Sequence, residues 1–391
     1  MSSAEIAIIG AGPAGAHLAS RLAAKGREIL LFDPKGAWEK PCGGGVPTRA
    51  LREFSFILEN ADYPRKLIHR VTLVSANGRR VSIDVDRPFA IYSREVLNRL
   101  VLDRAINSKA NFIRAAVTHF EKQGNGWQLV TDDGREWSAR FLVGADGAAS
   151  PTRRKLLGIF SKQDLALAFG YNIAVDEPSQ QGNQAEAVTI QFPHAFTGYL
   201  WAFPRPGVMN FGVASKLGEK TSDELRGLLA DFVRGYYGGK MPEESRMNFF
   251  GAKIPTLDFA TWKDLRASGE GWALIGDAAG FADPITGEGI YYAFKSADVL
   301  ADVLLKENLA NAAAAYENNW QEFFGRELSR ASQLLPRFYH GRFMGRPFPN
   351  AVIFLAAHHR GVRKVLVDCL IGEQSYITLK QDLLSRAHQI F

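Results

Sequence analysis

The sequence is poor in cysteine and has no long apolar run. Its 391 residues include two cysteines, Cys42 and Cys369, far apart in the chain, so we expect no disulfide framework and predict a reducing, cytoplasmic setting. No segment approaches the ~18 consecutive apolar residues that cross a bilayer, and the N-terminal apolar run lacks the basic leader of a secretory signal. The eight histidines show no metal-ligand spacing, so no metal site is predicted.

Acidic residues are scarce in one segment. Between Arg326 and Lys364, eight lysines and arginines accompany the single acid Glu327, and the whole chain has a net charge of +6. Such a segment is often a solvated basic surface, but it also suits anionic lipid head groups, a diphosphate or an acidic redox protein. No recognition helix or zinc-ligand spacing accompanies the charge, so we predict no nucleic-acid partner.

A glycine-rich turn follows the first apolar run of the chain. Gly10 permits a tight turn, Gly12 lets backbone N–H groups approach a pyrophosphate, and Gly15 lets the following helix pack closely on the strand. Pro13 and Ala14 fall in the first helical turn, where the missing N–H of proline has no cost. The N-terminus of such a helix offers unpaired N–H donors and positive partial charge to phosphate groups.

A second apolar run, Ile29–Phe32, ends at Asp33, 18 residues after Gly15. A carboxylate in this place can accept hydrogen bonds from an adenosine ribose. The succession of strand, glycine turn, helix, strand and acid therefore predicts a dinucleotide site, without distinguishing NAD from FAD. The sequence contains no second glycine-rich nucleotide turn.

Two later predicted strands also end in an acid. The first, within Phe141–Gly147, places Asp146 at its end, and the second, within Gly271–Gly280, places Gly276 and Asp277 there. Both are buried apolar runs that stop at a glycine-containing turn, which is typical of strands in the interior of a sheet.

Helix signals surround these strands. Ser93 is the predicted N-cap of a helix that has Arg94 and Arg99 near its start, and another helix is predicted from about 290 to 306. Residues 112–143 alternate short strands with turn signals, which predicts an antiparallel meander.

An aromatic strand is predicted farther along the chain. Tyr199, Trp201 and Phe203 alternate and therefore share one strand face, and Pro204 precedes a turn at residues 205–207. An aromatic face is usually part of a core, but it can also line a ligand cavity.

The order of these motifs resembles that of FAD-dependent oxidoreductases with the p-hydroxybenzoate hydroxylase fold. Within that group, three stretches resemble the geranylgeranyl reductase family: Pro41-Cys42-Gly43-Gly44-Gly45, Tyr199-x-Trp201-x-Phe203-Pro204 and Pro284-x-Thr286-Gly287-Glu288-Gly289. The resemblance extends to about residue 330. Beyond that point it depends chiefly on Gly372–Tyr376.

The resemblance implies an α/β fold with an α+β second lobe. A Rossmann-like FAD-binding domain is expected from three separated segments, and residues 66–90 and 166–264 are expected to form a mostly antiparallel substrate-binding sheet. Residues 326–391 are expected to form a basic helical C-terminal region. The three segments of the FAD-binding domain are 1–65, 91–165 and 265–325.

The resemblance also implies which residues contact each ligand. It assigns FAD binding to Gly10, Gly12, Pro13, Ala14, Gly15, Asp33, Cys42, Gly43, Gly44, Arg94, Arg99, Asp146, Gly276, Asp277, Pro284, Gly287, Glu288, Gly289 and Ile290, and substrate binding to Gly45, Tyr199, Trp201, Phe203 and Pro204. Either Arg94 or Arg99 would lie near the pyrophosphate. FAD is expected to bind tightly and non-covalently, with a helix N-terminus aimed at the edge of the flavin that carries charge when reduced.

Two residues are candidates for the catalytic proton donor, Cys42 and Tyr199. The family resemblance places the Cys42 loop beside the flavin, where a thiol can steer or protonate a substrate. The alternative is that Cys42 is a small buried apolar residue.

The resemblance implies reduction of carbon–carbon double bonds in an isoprenoid or similar apolar chain. One alternative is a monooxygenase or halogenase on the same fold, although the halogenase pattern Trp-x-Trp-x-Ile-Pro is replaced here by Tyr199, Trp201, Phe203 and Pro204. A second is a non-catalytic flavin-binding redox partner. Electrons would come from transiently bound NADPH or a ferredoxin-like carrier, and the basic C-terminal region offers a peripheral membrane contact. The sequence does not predict an oligomeric state.

Overall fold

The computed structural model describes residues 2–175, 186–194, 196–343 and 345–386. The strands are β1 (Ser2–Ile9), β2 (Ile29–Phe32), β3 (Gly45–Val46), β4 (Arg65–Val74), β5 (Arg80–Tyr92), β6 (Asn111–Ile113), β7 (Val117–Gln123), β8 (Gly126–Thr131), β9 (Glu136–Gly144), β10 (Leu165–Ala174), β11 (Ala187–Gln191), β12 (Gly198–Arg205), β13 (Val208–Lys216), β14 (Met247–Pro255), β15 (Ser268–Gly269), β16 (Trp272–Leu274), β17 (Arg342–Phe343) and β18 (Arg346–Pro347). The α-helices are α1 (Pro13–Ala23), α2 (Thr48–Glu53), α3 (Phe56–Glu59), α4 (Arg94–Asn107), α5 (Pro151–Leu157), α6 (Ser222–Tyr236), α7 (Phe259–Lys263), α8 (Ile290–Lys306), α9 (Leu309–Trp320), α10 (Arg326–His340), α11 (Phe348–His358), α12 (Arg360–Leu370) and α13 (Leu379–Ser385). Short 3₁₀ turns occupy Lys162–Asp164, Glu244–Arg246 and Gly276–Ala278, and a π-helical segment, Gln321–Gly325, joins α9 to α10.

The first sheet is largely parallel and is built from separated parts of the chain. β16, β9, β1, β2 and β6 lie side by side in parallel, and β15 pairs antiparallel with β16 at one edge. β7 and β8 form an antiparallel meander with β9. The prediction that the meander begins at residue 112 was wrong, because β6 lies parallel to β2. Three apolar residues do not by themselves indicate which strand they pair with.

Helices cover the first sheet as the sequence patterns predict. Ile6 and Ile8 of β1 lie in the same core as α1, α4 and α8, whereas Ala7 faces the core under the meander. Ser93 caps α4, because its side chain accepts a hydrogen bond from the Val96 N–H at 3.5 Å. The predicted helices after Ser93 and over residues 290–306 are therefore confirmed.

The second sheet has the order β14-β10-β13-β12-β11-β4-β5-β3. All its pairs are antiparallel except β11 with β4. Alternation along β12 directs Leu200 and Ala202 into a core under α6, while Tyr199, Trp201 and Phe203 pack together on the other face. The sheet therefore has one face packed on a helix and one aromatic face. Together the two sheets and the C-terminal helices confirm the predicted fold class.

The C-terminal helices pack against the second sheet. Ile353 and Ala356 of α11 and Val367 of α12 share a core with β4 and β5. The helical path runs without a break through the π-helical segment into α10, so residue 326, the predicted start of this region, lies inside a continuous helix. Residues 387–391 of the predicted region lie outside the described part of the chain. Among the described residues, no helix is both long and apolar enough to span a bilayer.

Candidate functional site

One large cavity connects the glycine-rich turn to the aromatic strand and the C-terminal helices. Its volume is about 1410 Å³. At one end it is lined by Gly10, Asp33 and Arg94, and at the other by apolar side chains of α11, α12 and α13. It therefore has the size and extent to hold a dinucleotide and a second, apolar molecule.

The glycine-rich turn leaves room only for glycine at two positions and leaves a third open to the cavity. Gly10 has a φ of +106°, and a Cβ atom there would lie 2.4 Å from the carbonyl oxygen of Ala145. A Cβ at Gly15 would lie 1.9 Å from the carbonyl oxygen of Gly10. Gly12 has no neighbouring atom within 4 Å of such a Cβ and lines the cavity. The backbone of α1 is thus open to a pyrophosphate at its N-terminus.

Asp33 lies at the end of β2 and shapes the turn opposite α1. Its carboxylate accepts hydrogen bonds from the N–H groups of Ala11 at 3.0 Å, Lys35 at 2.8 Å and Gly36 at 2.9 Å. These bonds hold the carboxylate at the cavity wall. Since Oδ2 accepts only the Ala11 bond, it can also receive a ribose hydroxyl group.

Arg94 and Arg99, the two alternatives for a pyrophosphate contact, have different surroundings. Arg94 is 4% exposed and lines the cavity. Its guanidinium donates a weak hydrogen bond to Asn98 Oδ1 at 3.4 Å, and its Nε has no hydrogen-bond partner among the described residues. Arg99 instead forms an exposed ion pair with Glu95 and does not line the cavity. Of the two alternatives, Arg94 therefore lies on the cavity wall, where it is available for an anion, and Arg99 lies outside it.

The Cys42 loop is held by an arginine from the second sheet. Arg205 is 2% exposed and pairs with Glu39 at 2.7 Å. Its remaining guanidinium N–H groups donate to the backbone carbonyls of Cys42 and, at 3.3 Å, Gly43. Since Arg205 is the last residue of β12, this clamp fixes the loop to the strand that carries the aromatic side chains.

The thiol of Cys42 lies in a buried but positively charged environment. Burial alone would raise the pKa of Cys42, but the positive charge of Arg94, a hydrogen bond from the Gly44 N–H and the charge of Arg205 together lower that pKa below its ordinary value. Thiolate formation is therefore favoured at this position.

A loop, Asp283–Gly289, leads into α8 on the cavity wall; its first three residues are buried and the rest are half-buried. Asp283 accepts hydrogen bonds from the Ile285 and Thr286 N–H groups at 2.8 and 3.1 Å and from the hydroxyl of Tyr376 at 2.8 Å. Burial raises the pKa of Asp283 above its ordinary value. The C-terminal segment thereby contacts the loop that the sequence assigns to the flavin.

Glu288 lies in this loop and caps the N-terminus of α8. Its Oε1 accepts a hydrogen bond from the Tyr291 N–H at 2.7 Å, and the Ile290 N–H also interacts with the carboxyl group. Burial, with the negative charge of Asp283, raises the pKa of Glu288 to about 8, although the Tyr291 bond opposes the shift. Near neutral pH this carboxyl group is mostly protonated and lines the cavity.

Asp277 and Asp146 lie at the ends of two neighbouring strands of the first sheet. Asp277 pairs with Lys40 at 3.0 Å and lines the cavity. Asp146 accepts hydrogen bonds from the Ser150 hydroxyl and, at 3.0 Å, the Thr152 N–H. Burial raises the pKa of Asp146 despite these bonds. Asp146 therefore orders the turn before α5, whereas Lys40 and Asp277 form a half-buried polar pair on the cavity wall.

The aromatic face of β12 forms a wall of the cavity. Ring centroids of Tyr199 and Trp201 lie 5.9 Å apart, and those of Trp201 and Phe203 lie 6.3 Å apart. Trp201 donates its Nε1–H to Asn210 Oδ1 at 2.7 Å. The Tyr199 hydroxyl donates to the carbonyl oxygen of Thr286, and burial raises the pKa of Tyr199 well above its ordinary value.

The structure brings most of the sequence-predicted residues to one cavity. Four do not line it: Gly15, Arg99, Pro204 and Pro284. Gly15 still allows α1 to approach β1, as its predicted packing role requires. The sequence reasoning missed Arg205, Lys40, Asp283 and Tyr376. Only Tyr376 had a signal, since it lies within the stretch Gly372–Tyr376.

We call the glycine-rich turn, the N-terminus of α1 and Asp33 the cradle. Together with Arg94, the cradle fits FAD on three observations of this chain. Gly12 is open to the cavity, the buried Arg94 has an unpartnered Nε, and Asp33 is held opposite the N-terminus of α1. Bound there, the ADP half would occupy the end near Gly10. The loop before α8 would then border the isoalloxazine.

Comparison with known proteins places the chain in a family. A family model described as lycopene cyclase protein matches residues 5–179. Protein CbrA of Shigella sonnei is 30% identical over 328 residues, which cover 78% of this chain and 86% of that protein. Menaquinone reductase of Mycobacterium tuberculosis is 28% identical over 86% of this chain and 85% of that protein. Geranylgeranyl diphosphate reductase of Rhodobacter capsulatus is 28% identical over 73% and 71%, respectively.

Solved structures share the fold over nearly the whole chain. A geranylgeranyl bacteriochlorophyll reductase-like protein of Thermoplasma acidophilum is 18% identical, with a TM-score of 0.75 and coverage of 100% of this chain and 97% of that one. The flavin-dependent brominase Bmp2 is 16% identical, with a TM-score of 0.70 and coverage of 98% and 99%. PqsL of Pseudomonas aeruginosa, described as a probable FAD-dependent monooxygenase, is 21% identical, with a TM-score of 0.66 and coverage of 90% and 100%. The 30% identity to protein CbrA over 78% of this chain, with the reductase relatives beside it, places the chain in the geranylgeranyl reductase-like family of FAD-dependent oxidoreductases.

Proposed function

We propose that this FAD-dependent oxidoreductase reduces a carbon–carbon double bond in an isoprenoid or similar apolar chain. The observation that carries the proposal is the continuity of the cavity. It extends from the dinucleotide cradle, past the aromatic wall of β12, to the apolar side chains of α11, α12 and α13. A long apolar substrate can therefore place one of its double bonds beside the flavin while the rest of its chain stays buried.

The residues that would hold FAD are the cradle residues, Arg94 and the loop before α8. Gly10, Gly12 and the N-terminus of α1 would receive the pyrophosphate together with Arg94, and Asp33 would receive the ribose. When bound and reduced, the flavin supplies a hydride through N5. Two electrons and one proton therefore reach the alkene as hydride, and a second proton must come from the site.

Three side chains on the cavity wall are candidates for the source of that proton. The Tyr199 hydroxyl already donates to Thr286, and its raised pKa makes it a weak acid. The pKa of Cys42 is lowered, so the thiol loses its proton more readily than an ordinary cysteine. Glu288 is mostly protonated near neutral pH and lines the cavity. We therefore propose Glu288 as the proton donor and Cys42 as a residue that positions the substrate.

The proposed reaction is tested with the flavin alone as the electron source. The FAD-loaded protein is reduced anaerobically, mixed with geranylgeranyl diphosphate or an isoprenoid quinone, and followed by flavin absorbance and product mass. We expect anaerobic reoxidation and a product that has gained two hydrogens. Reoxidation that requires oxygen, with oxygen incorporated into the product, would instead establish a monooxygenase. No turnover with any acceptor would favour a non-catalytic flavin protein.

The electron donor is a separate part of the proposal. We propose either NADPH, which would visit the flavin transiently, or a ferredoxin-like protein. Reduction of the bound flavin by NADPH in the absence of substrate would select the first donor. A lack of reduction by NADPH together with reduction by a reduced ferredoxin would select the second.

Replacement of Cys42 by Ala is expected to slow reoxidation by the substrate about tenfold or more, because a group that steers the substrate is lost. Flavin binding and flavin reduction should stay unchanged, since the glycine-rich loop backbone and the Arg205 clamp remain. Stopped-flow measurement of the two half-reactions separates these effects. Cys369→Ala is the matched control, because Cys369 is a second cysteine on the cavity wall. Equal reoxidation rates for wild type and Cys42→Ala would show that Cys42 only packs in the protein and does not position the substrate.

Replacement of Asp277 by Ala is expected to weaken FAD retention, because Asp277 is proposed to contact the cofactor and its loss leaves Lys40 without its partner. Equilibrium titration of the apoprotein with FAD should show an increase in Kd of about tenfold, which corresponds to one charge-assisted hydrogen bond. Asp302→Ala, which removes an exposed partner of Arg21, is the control. Unchanged affinity in Asp277→Ala would contradict the assignment.

A further inference from the structure

The far end of the cavity opens among exposed side chains of the C-terminal region. Five residues that line the cavity there are exposed, and we call them the rim: Arg337 on α10, Arg342 and Phe343 on β17, and Lys380 and Leu384 on α13. Phe343 is 46% exposed and Leu384 is 65% exposed. Large apolar side chains next to cations at the mouth of an apolar cavity are not explained by packing within this chain.

Helix α13 contributes Leu384, the more exposed of the two apolar rim residues. None of its seven residues is buried, yet Leu379, Leu383 and Leu384 all line the cavity. The helix therefore presents leucines toward the mouth of the cavity without a core of its own. An amphipathic segment of this kind commonly lies at a lipid–water interface.

The charge of this surface is positive because the three rim cations outnumber Asp382, the neighbouring acid whose hydrogen-bond donors are neutral and leave its charge in place. Asp382 accepts hydrogen bonds from Gln374 and Thr378, Asp368 pairs with Lys364 and Arg386, and Glu373 pairs with Arg52. Arg346, which pairs with the rim residue Phe343 across the hairpin, packs over the ring of Phe354 with its guanidinium 4.2 Å from the ring centroid. The rim therefore keeps a net positive charge, although Asp382 offsets part of it.

We propose that the rim docks on the surface of an anionic lipid bilayer, with Phe343 and Leu384 inserted among the lipids and Arg337, Arg342 and Lys380 against the phosphate groups. Charge complementarity favours anionic lipid, and the apolar side chains favour a bilayer over a purely polar partner. The contact is peripheral, since no described helix can span a membrane. An apolar substrate could then pass between the bilayer and the cavity without entering water.

The test is flotation of the FAD-loaded protein with vesicles of phosphatidylcholine, alone or mixed with phosphatidylglycerol. We expect binding to the mixed vesicles, which added salt weakens, and little binding to phosphatidylcholine alone. The variants Arg337→Glu/Arg342→Glu and Phe343→Ser/Leu384→Ser should each lower the partition coefficient about tenfold or more. Flavin content confirms that each variant is folded.

Matched controls change the same residue types away from the cavity. Lys25→Glu/Lys240→Glu reverses two exposed charges, and Ile106→Ser/Ile159→Ser replaces two isoleucines that are 44% and 74% exposed. Neither should change vesicle binding. Failure of the wild type to bind anionic vesicles, or equal losses in the control variants, would overturn the proposal. If Arg337→Glu/Arg342→Glu lowers vesicle binding and Phe343→Ser/Leu384→Ser does not, the proposal of a bilayer partner is overturned and an acidic protein is favoured.

Discussion

Replacement of Arg205 by Met is expected to destabilise the protein by about 3 kcal/mol, because it removes one partner of a buried ion pair. Glu39 would lose its cation, and the carbonyl oxygens of Cys42 and Gly43 would lose their donors. Methionine approximates the length of the arginine stem, so the loss of packing is small compared with the loss of charge. Urea unfolding of the FAD-loaded protein at a fixed FAD concentration measures the free energy of unfolding.

The same variant should also weaken FAD binding, since the clamp orders the loop that lines the flavin end of the cavity. Arg70→Met is the control, because Arg70 pairs with Asp84 on the exposed face of β4 and β5, and an exposed pair contributes little to stability. Equal unfolding free energies for wild type and Arg205→Met would show that the clamp does not hold the loop. A loss as large in Arg70→Met would mean that the effect is not specific to the cavity.

Replacement of Glu288 by Gln is expected to slow substrate-dependent flavin reoxidation about a hundredfold, which is the contribution of a typical general acid. Glutamine keeps the shape of the side chain and can still accept from the Tyr291 N–H, but it cannot deliver a proton. Stopped-flow absorbance measures this step. Flavin reduction should be unaffected, because hydride transfer to the flavin does not need this proton.

The pH dependence follows from the pKa of Glu288. Burial raises this pKa to about 8, so the acid form dominates below that pH and reoxidation should slow about tenfold per pH unit above it. The groups that face Glu288 are Asp277, which pairs with Lys40, Asp283, Tyr199, Tyr291 and Tyr292. The alkaline decline should disappear in Glu288→Gln and persist in the control Glu244→Gln, an exposed glutamate far from this loop in sequence.

The same shift predicts a change in stability. The folded-state pKa of Glu288 is raised above its unfolded value near 4.5. The contribution of Glu288 to the free energy of unfolding is therefore fully present below pH ~4.5 and is lost as pH rises through about 8.

The protonation state of Glu288 can be read without turnover, from infrared difference spectra of the apoprotein below and above pH ~8. A protonated carboxyl band that is present in wild type and absent in Glu288→Gln would support the assignment, and identical spectra would contradict it.

Local sequence patterns predicted much of the first sheet and its helices. The N-cap at Ser93 and the helix over residues 290–306 are both confirmed. Each of these features depends on side chains that lie within a few residues of the backbone groups they contact. The local sequence pattern is therefore enough to predict them. Strand partners follow a different rule. β6 was assigned to the wrong pairing because nothing within three apolar residues indicates a parallel neighbour.

The sequence alone determined the cradle, since a glycine at Gly10 or Gly15 is required by contacts within one strand–turn–helix unit and with the neighbouring strand. It could not place Arg99 outside the cavity or Arg205 beneath the Cys42 loop. Arg94 and Arg99 are five residues apart on α4, and only the packing of that helix decides which of them is buried.

Tertiary structure likewise decided the role of the C-terminal region. The sequence shows it as a basic segment, and the fold brings Tyr376 to Asp283 and α13 to the mouth of the cavity. Burial then gives Glu288 its raised pKa, which no local pattern encodes. The spacing of residues in the sequence predicts short-range contacts. Burial and long-range pairing depend instead on how separated segments pack, and burial and long-range pairing create the chemistry of the site.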